Sequence, residues 1–168
     1  RETQVLSKLN RTCGEKIADA VRDCGKIMLD VVRTADMVDA KEGHVNFVTT
    51  YDKKVQETIR EKLFEILPEA VFVGEEDDIH ASIEKGFAFI VDPIDGTTNF
   101  IKDYHVSAIS VGLTKDGEKY IGVVYNPYLD EMFTAERGKG AFLNGKTIHV
   151  SRNPLSEGVV LFGTAPYY

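Results

Sequence analysis

Apolar residues recur at three- and four-residue steps through Leu6, Leu9, Cys13, Ile17, Ala20, Val21, Cys24, Ile27, Met28, Val31 and Val32. That spacing predicts one apolar stripe along a single long helix. Gly14 and Gly25 weaken the helix slightly and leave room for another element to approach closely. Residues 41–44 predict a loop. A second helix is expected from Thr49 or Thr50, either of which is a capping residue type. Val55, Ile59, Leu63, Ile66 and Leu67 mark its buried face, and Pro68 ends it.

Beyond Pro68 the hydrophobic period changes. Residues 71–73 and 87–91 predict short buried strands. Residues 107–114 and 120–125 predict strands joined around Asp116-Gly117, a hairpin dipeptide, and 131–135 a further strand. Residues 141–143 and 147–150 flank a second hairpin dipeptide, Asn144-Gly145. Two helices followed by hairpin-linked strands predict an α+β domain over residues 1–153, with long helices packed on one face of a largely antiparallel sheet. Residues 151–157 are polar, contain Pro154 and predict a linker. The apolar run 159–162 then predicts the first strand of a second α/β domain, residues 154–168, continuing past Tyr168. A lone strand has nothing to pair with. The chain is thereby expected to be the N-terminal part of a layered α/β sandwich.

Composition narrows the function classes. The 168 residues are 43% hydrophobic and 28% charged, ordinary for a globular chain. Twenty Lys and Arg stand against 27 Asp and Glu, a net charge of -7. An acidic balance argues against nucleic acid as the main partner, which needs a basic footprint. No apolar run of about 18 residues is present, so no membrane helix is predicted. Cys13 and Cys24, eleven residues apart on one predicted helix, would be separated by about 16 Å. A disulfide needs Cα atoms within about 7 Å. Two buried thiols in a reducing cytoplasm are expected instead.

The chemistry-bearing residues cluster at predicted strand ends. Gly74-Glu75-Glu76 follows the strand at 71–73. Asp92-Pro93-Ile94-Asp95-Gly96-Thr97-Thr98 follows the strand at 87–91. Asp52 falls in the first turn of the second helix. Pro93 is expected to stop its strand, and Asp95 follows Asp92 within one turn. Two carboxylates that close repel unless a cation lies between them, and their oxygens suit magnesium or manganese. Gly96 allows close backbone approach to a ligand. Thr97-Thr98-Asn99 opens a short helical turn whose free N–H groups would hold a phosphate.

Other readings fit less well. An isolated Asp-x-x-Asp-Gly is more often a plain turn. A calcium loop of the helix-loop-helix type is a poor fit, because Pro93 intrudes, the Asp-x-Asp-x-Asp-Gly spacing is missing and no terminal Glu follows. Asp77 and Asp78 are read as a solvated loop. His44, His80, His105 and His149 show no ligand spacing. There is no Gly-x-Ser-x-Gly elbow and no nucleotide-loop pattern.

Residues 92–100, Asp-Pro-Ile-Asp-Gly-Thr-Thr-Asn-Phe, resemble the signature of the inositol monophosphatase family. Val73-Gly74-Glu75-Glu76 resembles the family's upstream Gly-Glu-Glu segment, and residues 46–52 its Val-Thr-x-x-Asp segment. Residues 122–127 and 137–145 match in order and spacing. The resemblance implies that Glu75, Asp92 and the carbonyl of Ile94 bind a first magnesium. It implies that Asp92 and Asp95 bind a second, and that Glu75 helps hold a weaker third. It further implies manganese as a substitute and lithium as an inhibitor. Gly96 and Thr97 N–H groups would receive the phosphate, with Asp95 also on the substrate side. Asp52, Thr97 and Glu75 would be catalytic, Thr97 and Asp52 orienting and deprotonating a metal-bound water. Lys41 would lie in a loop that closes over the site.

The family's second motif, Trp-Asp-x-Ala-Ala-Gly, is absent from this sequence, which has no Trp. The Asp completing the second metal site is expected beyond Tyr168. The resemblance implies a cytoplasmic homodimer that hydrolyses myo-inositol 1-phosphate, without membrane or nucleic-acid partners. The alternatives are a phosphatase of related sugar phosphates, bisphosphate nucleotides or NADP, or a regulatory member that keeps the fold.

Overall fold

The computed structural model describes residues 12–32, 38–40, 47–77, 81–160 and 162. Helix α1 (Cys13–Leu29) begins at a reciprocal capping box. The Thr12 hydroxyl accepts from Glu15 N–H at 3.3 Å, and Glu15 Oε2 accepts from Thr12 N–H at 2.7 Å. Two of the helix's unpaired donors are thereby satisfied. Thr12 itself is extended, so the helix of the described residues begins at Cys13, and Val31 and Val32 lie beyond its last turn. Leu6 and Leu9 fall outside the described residues. Cys13 and Cys24 are both free thiols. Burial pushes Cys24 up to about 12.

Strands β1 (Val38–Ala40) and β2 (Phe47–Thr49) pair antiparallel, a feature not predicted, and β2 runs directly into α2 (Thr50–Ile66). The remaining strands are β3 (Val71–Gly74), β4 (Phe87–Asp95), β5 (Ala108–Lys115), β6 (Glu118–Asn126), β7 (Glu131–Glu136), β8 (Gly140–Leu143) and β9 (Lys146–Ile148). They form a seven-stranded sheet in sequential order. Only β3–β4 is parallel. Asp116-Gly117 and Asn144-Gly145 have positive φ at both residues and close the β5–β6 and β8–β9 hairpins. That is the geometry two-residue hairpins require. The fold is thus α+β with a mostly antiparallel sheet.

Alternation along the strands sends Phe89, Val91, Ile109, Val111, Leu113, Ile121, Val123 and Tyr125 to one face. Ile17, Val21, Cys24 and Met28 of α1 and Val55, Ile59 and Leu63 of α2 cover that face in one core. The opposite face carries the half-exposed Ile90, Val124 and Phe133. A trough of about 670 Å³ along it passes Gly112 and Gly122 and reaches Glu75 and Asp92.

Three expectations need correction. Pro93 does not stop its strand: β4 continues to Asp95. Its missing N–H is harmless because β3 pairs only as far as Val91 and the β4–β5 register slips between Asp92 and Asp95. The last strand ends at Ile148, leaving Val150 exposed. Residues 159, 160 and 162 form no strand and stand exposed, after a short 3-10 turn at Leu155–Glu157.

Gly25 marks the closest approach of α1 to the sheet. A Cβ there would meet Tyr125 Cε1 at 2.6 Å and Pro127 Cβ at 3.2 Å. The Tyr125 ring has little freedom to yield, since its hydroxyl donates to Asp130 at 3.0 Å and Arg22 lies over its face. Gly→Ala inside a helix ordinarily stabilises by about 1 kcal/mol. Here overpacking, about 1–3 kcal/mol, should reverse the sign. Gly25→Ala is expected to lower the midpoint of thermal or urea unfolding, while Gly122→Ala, whose Cβ meets nothing within 4 Å, leaves it nearly unchanged. A rise in stability for Gly25→Ala would contradict this packing.

Candidate active site

The site forms where β3 and β4 end side by side. Glu75 N–H donates to the Val91 carbonyl at 3.0 Å, extending the parallel pairing one step beyond β3. The turn after β3 is then held from α2. Gln56 accepts from Glu76 N–H and donates to Asp77 Oδ1, each at 3.1 Å. Asp77 Oδ2 accepts from Gly74 N–H at 3.1 Å, and Arg60 donates to Asp77 Oδ1. Gly74 leaves no space beyond this, because a Cβ there would lie 2.2 Å from Gln56 Oε1.

On β4, the register shift turns the chain so that Ile94 is buried and Asp95 is exposed. Gly96 follows with φ +83, a left-handed conformation in which a Cβ would strike the Val106 carbonyl at 2.9 Å. Helix α3 (Thr97–Ile101) begins there. The Thr97 hydroxyl lies 3.0 Å from the Ile94 carbonyl and 3.3 Å from Asp52 Oδ1. Its one proton is shared between those two acceptors. Asp52 sits in the first turn of α2 and is 2% exposed.

Asp92 is the most perturbed group. Burial, and then the neighbouring carboxylates of Glu75, Asp95 and Asp52, push its carboxyl up to about 8. Glu75 also shares a hydrogen bond with it, which favours the protonated form. Its Oδ1 is buried with no hydrogen-bond partner. Among the described residues these acids crowd Asp92 without closing into a three-ligand cage. The residues present nevertheless fit a hard divalent cation: an unpartnered buried carboxylate oxygen, further carboxylates around it, and an adjacent backbone carbonyl at Ile94.

The structure thus gathers Asp52, Glu75, Asp92, Ile94, Asp95, Gly96 and Thr97 at one end of the sheet. Lys41 lies outside the described residues, as do Asp78, His44 and His80. Asp77 is not the solvated loop residue expected, because three partners hold it. Gln56 and Arg60 were also missed. The signal was available: Asp52, Gln56 and Arg60 stand four apart and share one side of α2. His105 is exposed, stacked on Tyr128 and paired with Asp103.

Comparisons with known proteins bear on the family and the fold. The inositol monophosphatase family model matches residues 3–167. Inositol monophosphatase 2 of Saccharomyces cerevisiae is 46% identical over 119 residues, 70% of this chain and 41% of the relative. Inositol-1-monophosphatase of Rhizobium meliloti is 39% identical over 150 residues, 88% of this chain and 56% of the relative. The crystal structure of the extragenic suppressor protein suhB from Bartonella henselae superposes with a TM-score of 0.75 at 34% identity, covering 84% of this chain and 54% of that one. The chain spans about half the length of the curated relatives it matches.

Two outcomes test the geometry. Gly74→Ala must displace Gln56 and release the Glu76 and Asp77 contacts, so it should destabilise the fold by about 1–3 kcal/mol. Gln56→Ala in the same background should recover part of that loss by removing the clash. Asp92 gives a pH-dependent test. Because its folded value is raised from 3.8 to about 8, its contribution is fully present at low pH and is lost as pH rises through about 8. In the presence of EDTA, Asp92→Asn should therefore melt above wild type at pH 8.5, with the gap closing towards pH 4. A wild type more stable than the variant at pH 8.5 would contradict the crowding of acids around Asp92.

Proposed function

The chain belongs to the inositol monophosphatase family, and from that premise we propose that the whole protein is a magnesium-dependent phosphomonoesterase. Its substrate is a small phosphorylated polyol, with myo-inositol 1-phosphate the first candidate, following the names of the yeast and Rhizobium relatives. The observation that carries the reading is the Asp52–Thr97 hydrogen bond lying beside the unpartnered buried oxygen of Asp92.

Glu75, Asp92, the Ile94 carbonyl and Asp95 would hold the ions, with manganese an alternative. Bound magnesium lowers the pKa of water and offsets charge on phosphate oxygens. Within the chain, Gly96 and Thr97 N–H groups bind the phosphate. The Thr97 hydroxyl, donating to Asp52, accepts a hydrogen bond from the attacking water and orients it. Asp52 draws the proton through Thr97, its carboxylate buried at the first turn of α2 and so fixed in direction. Glu75 would contribute its carboxylate to holding the ions and to offsetting their charge.

A regulatory member of the fold is the second reading, supported by the extragenic-suppressor name of the Bartonella relative. The two differ in a direct measurement. The full-length protein should release phosphate from myo-inositol 1-phosphate in a magnesium-dependent manner. Thr97→Ala and Asp52→Asn should each lower kcat by about 10²–10⁴ while changing KM far less, because the lost group acts on the water in the transition state. Unchanged kcat in both variants would remove these roles. Wild-type protein with no phosphate release would favour the regulatory reading.

A further inference from the structure

Ser107 is a buried polar residue, 4% exposed, that precedes β5 and belongs to none of the motifs above. Its hydroxyl donates to the Gly96 carbonyl at 3.1 Å. The same carbonyl accepts from Phe100 N–H at 3.0 Å. Both lone-pair directions of that oxygen are thus occupied, one by α3 itself and one by a side chain eleven residues away.

The consequence follows from peptide geometry. The Gly96 carbonyl and the Thr97 N–H belong to one planar trans peptide and point in opposite directions. Fixing the carbonyl towards Ser107 and Phe100 therefore fixes the Thr97 N–H on the opposite side. Gly96 alone would not do so, because a left-handed glycine is among the freest backbone positions and its flanking peptide can rotate. The loop carrying Ser107 is itself tied down. Asn99 Nδ2 donates to the Val106 carbonyl at 2.9 Å, and Tyr104 N–H donates to the Asn99 carbonyl at 2.9 Å. Ser107 is thus a fixed donor.

We propose that Ser107 is a positioning residue for phosphate binding, whose hydroxyl locks the Gly96–Thr97 peptide plane so that the Thr97 N–H stays presented to a phosphate oxygen. This rests on the phosphatase reading above. Without the hydroxyl, the peptide must be ordered at each binding event, and the ordering is drawn from the binding free energy. Substrate and inorganic phosphate share the phosphoryl group, so both should weaken. Magnesium activation, set by the carboxylates, should not.

The test uses the full-length protein and inorganic phosphate as the probe. Ser107→Ala should raise the inhibition constant for inorganic phosphate and the KM for myo-inositol 1-phosphate by about five- to tenfold, the scale of one lost hydrogen bond. The magnesium concentration for half-activation should stay at the wild-type value. Ser107→Thr, which keeps the hydroxyl, should restore phosphate inhibition. Thr114→Val supplies a structural comparison, since it removes another buried hydroxyl bonded to a strand carbonyl, that of Ala88. It should lower the melting temperature without moving the phosphate inhibition constant. If Ser107→Ala lowers only the melting temperature and leaves phosphate inhibition unchanged, the positioning role is wrong while the phosphatase reading stands. If wild type neither hydrolyses the ester nor binds phosphate, the phosphatase reading falls, and this inference with it.

Discussion

Asp92 places a carboxylate oxygen in a buried position at the end of β4 with no hydrogen bond to receive, and Glu75, Asp95 and Asp52 stand around it. Two unit charges about 4 Å apart at an effective dielectric near 20 repel by about 4 kcal/mol. A chain that brings such groups together has to hold each one from behind. Asp92 is held by its pairing with Ser110 on β5. Glu75 is held through its backbone bond to Val91 and by the Gln56–Asp77–Arg60 network behind the turn. Asp52 is held by the burial of α2. The raised value of Asp92 is the remaining cost of the arrangement, and a cation is the group that would remove it.

Helix α2 is the element on which this depends most. One side of it, Val55, Ile59 and Leu63, is fully buried in the core. Another, Asp52, Gln56 and Arg60, faces the site and its supporting turn. The packing that stabilises the domain therefore also sets the separation between Asp52 and the Glu75 turn. A core substitution that shifts α2 along its axis would move Asp52 relative to Thr97 while also changing the support under Glu75. Stability and site geometry share one set of contacts here, which makes independent tuning of the two difficult.

Much of this was legible in the sequence because it rests on local rules. The alternation in β4, β5 and β6 and the Asp116-Gly117 and Asn144-Gly145 turns are short-range signals, and they produced the expected hairpins. The clustering of Asp52, Glu75, Asp92, Asp95 and Thr97 could be anticipated from their places at element ends. Other features escaped because they depend on what lies alongside. Pro93 reads as a strand breaker until its nitrogen, which has no hydrogen to donate, is seen to face no partner strand. Asp77 reads as a solvated acid until Arg60 and Gln56 come in from a helix about twenty residues earlier. The capping box at Thr12 and Glu15 is a different case: its spacing is a sequence signal, hidden by an apolar stripe that runs straight through it.

The register slip between Asp92 and Asp95 explains why the candidate site lies on a strand and not in a flexible loop. Had β4 kept perfect pairing, alternate residues would point to opposite faces, and Asp92 and Asp95, three apart, would diverge. The slip inserts extra length against β5 and re-aims the chain. Ile94 is driven into the core, its carbonyl turns towards Thr97, and Asp95 still returns to pairing opposite Ala108. Both ends of the segment are therefore clamped by ladder hydrogen bonds while its middle is free to depart from strand geometry. The left-handed turn at Gly96 follows from the same construction, because the chain must reverse immediately beyond the last pair without meeting the Val106 carbonyl. Rigidity at the ends and irregularity between them is what a site requires when several like-charged oxygens must be held to a fixed geometry before any ligand arrives.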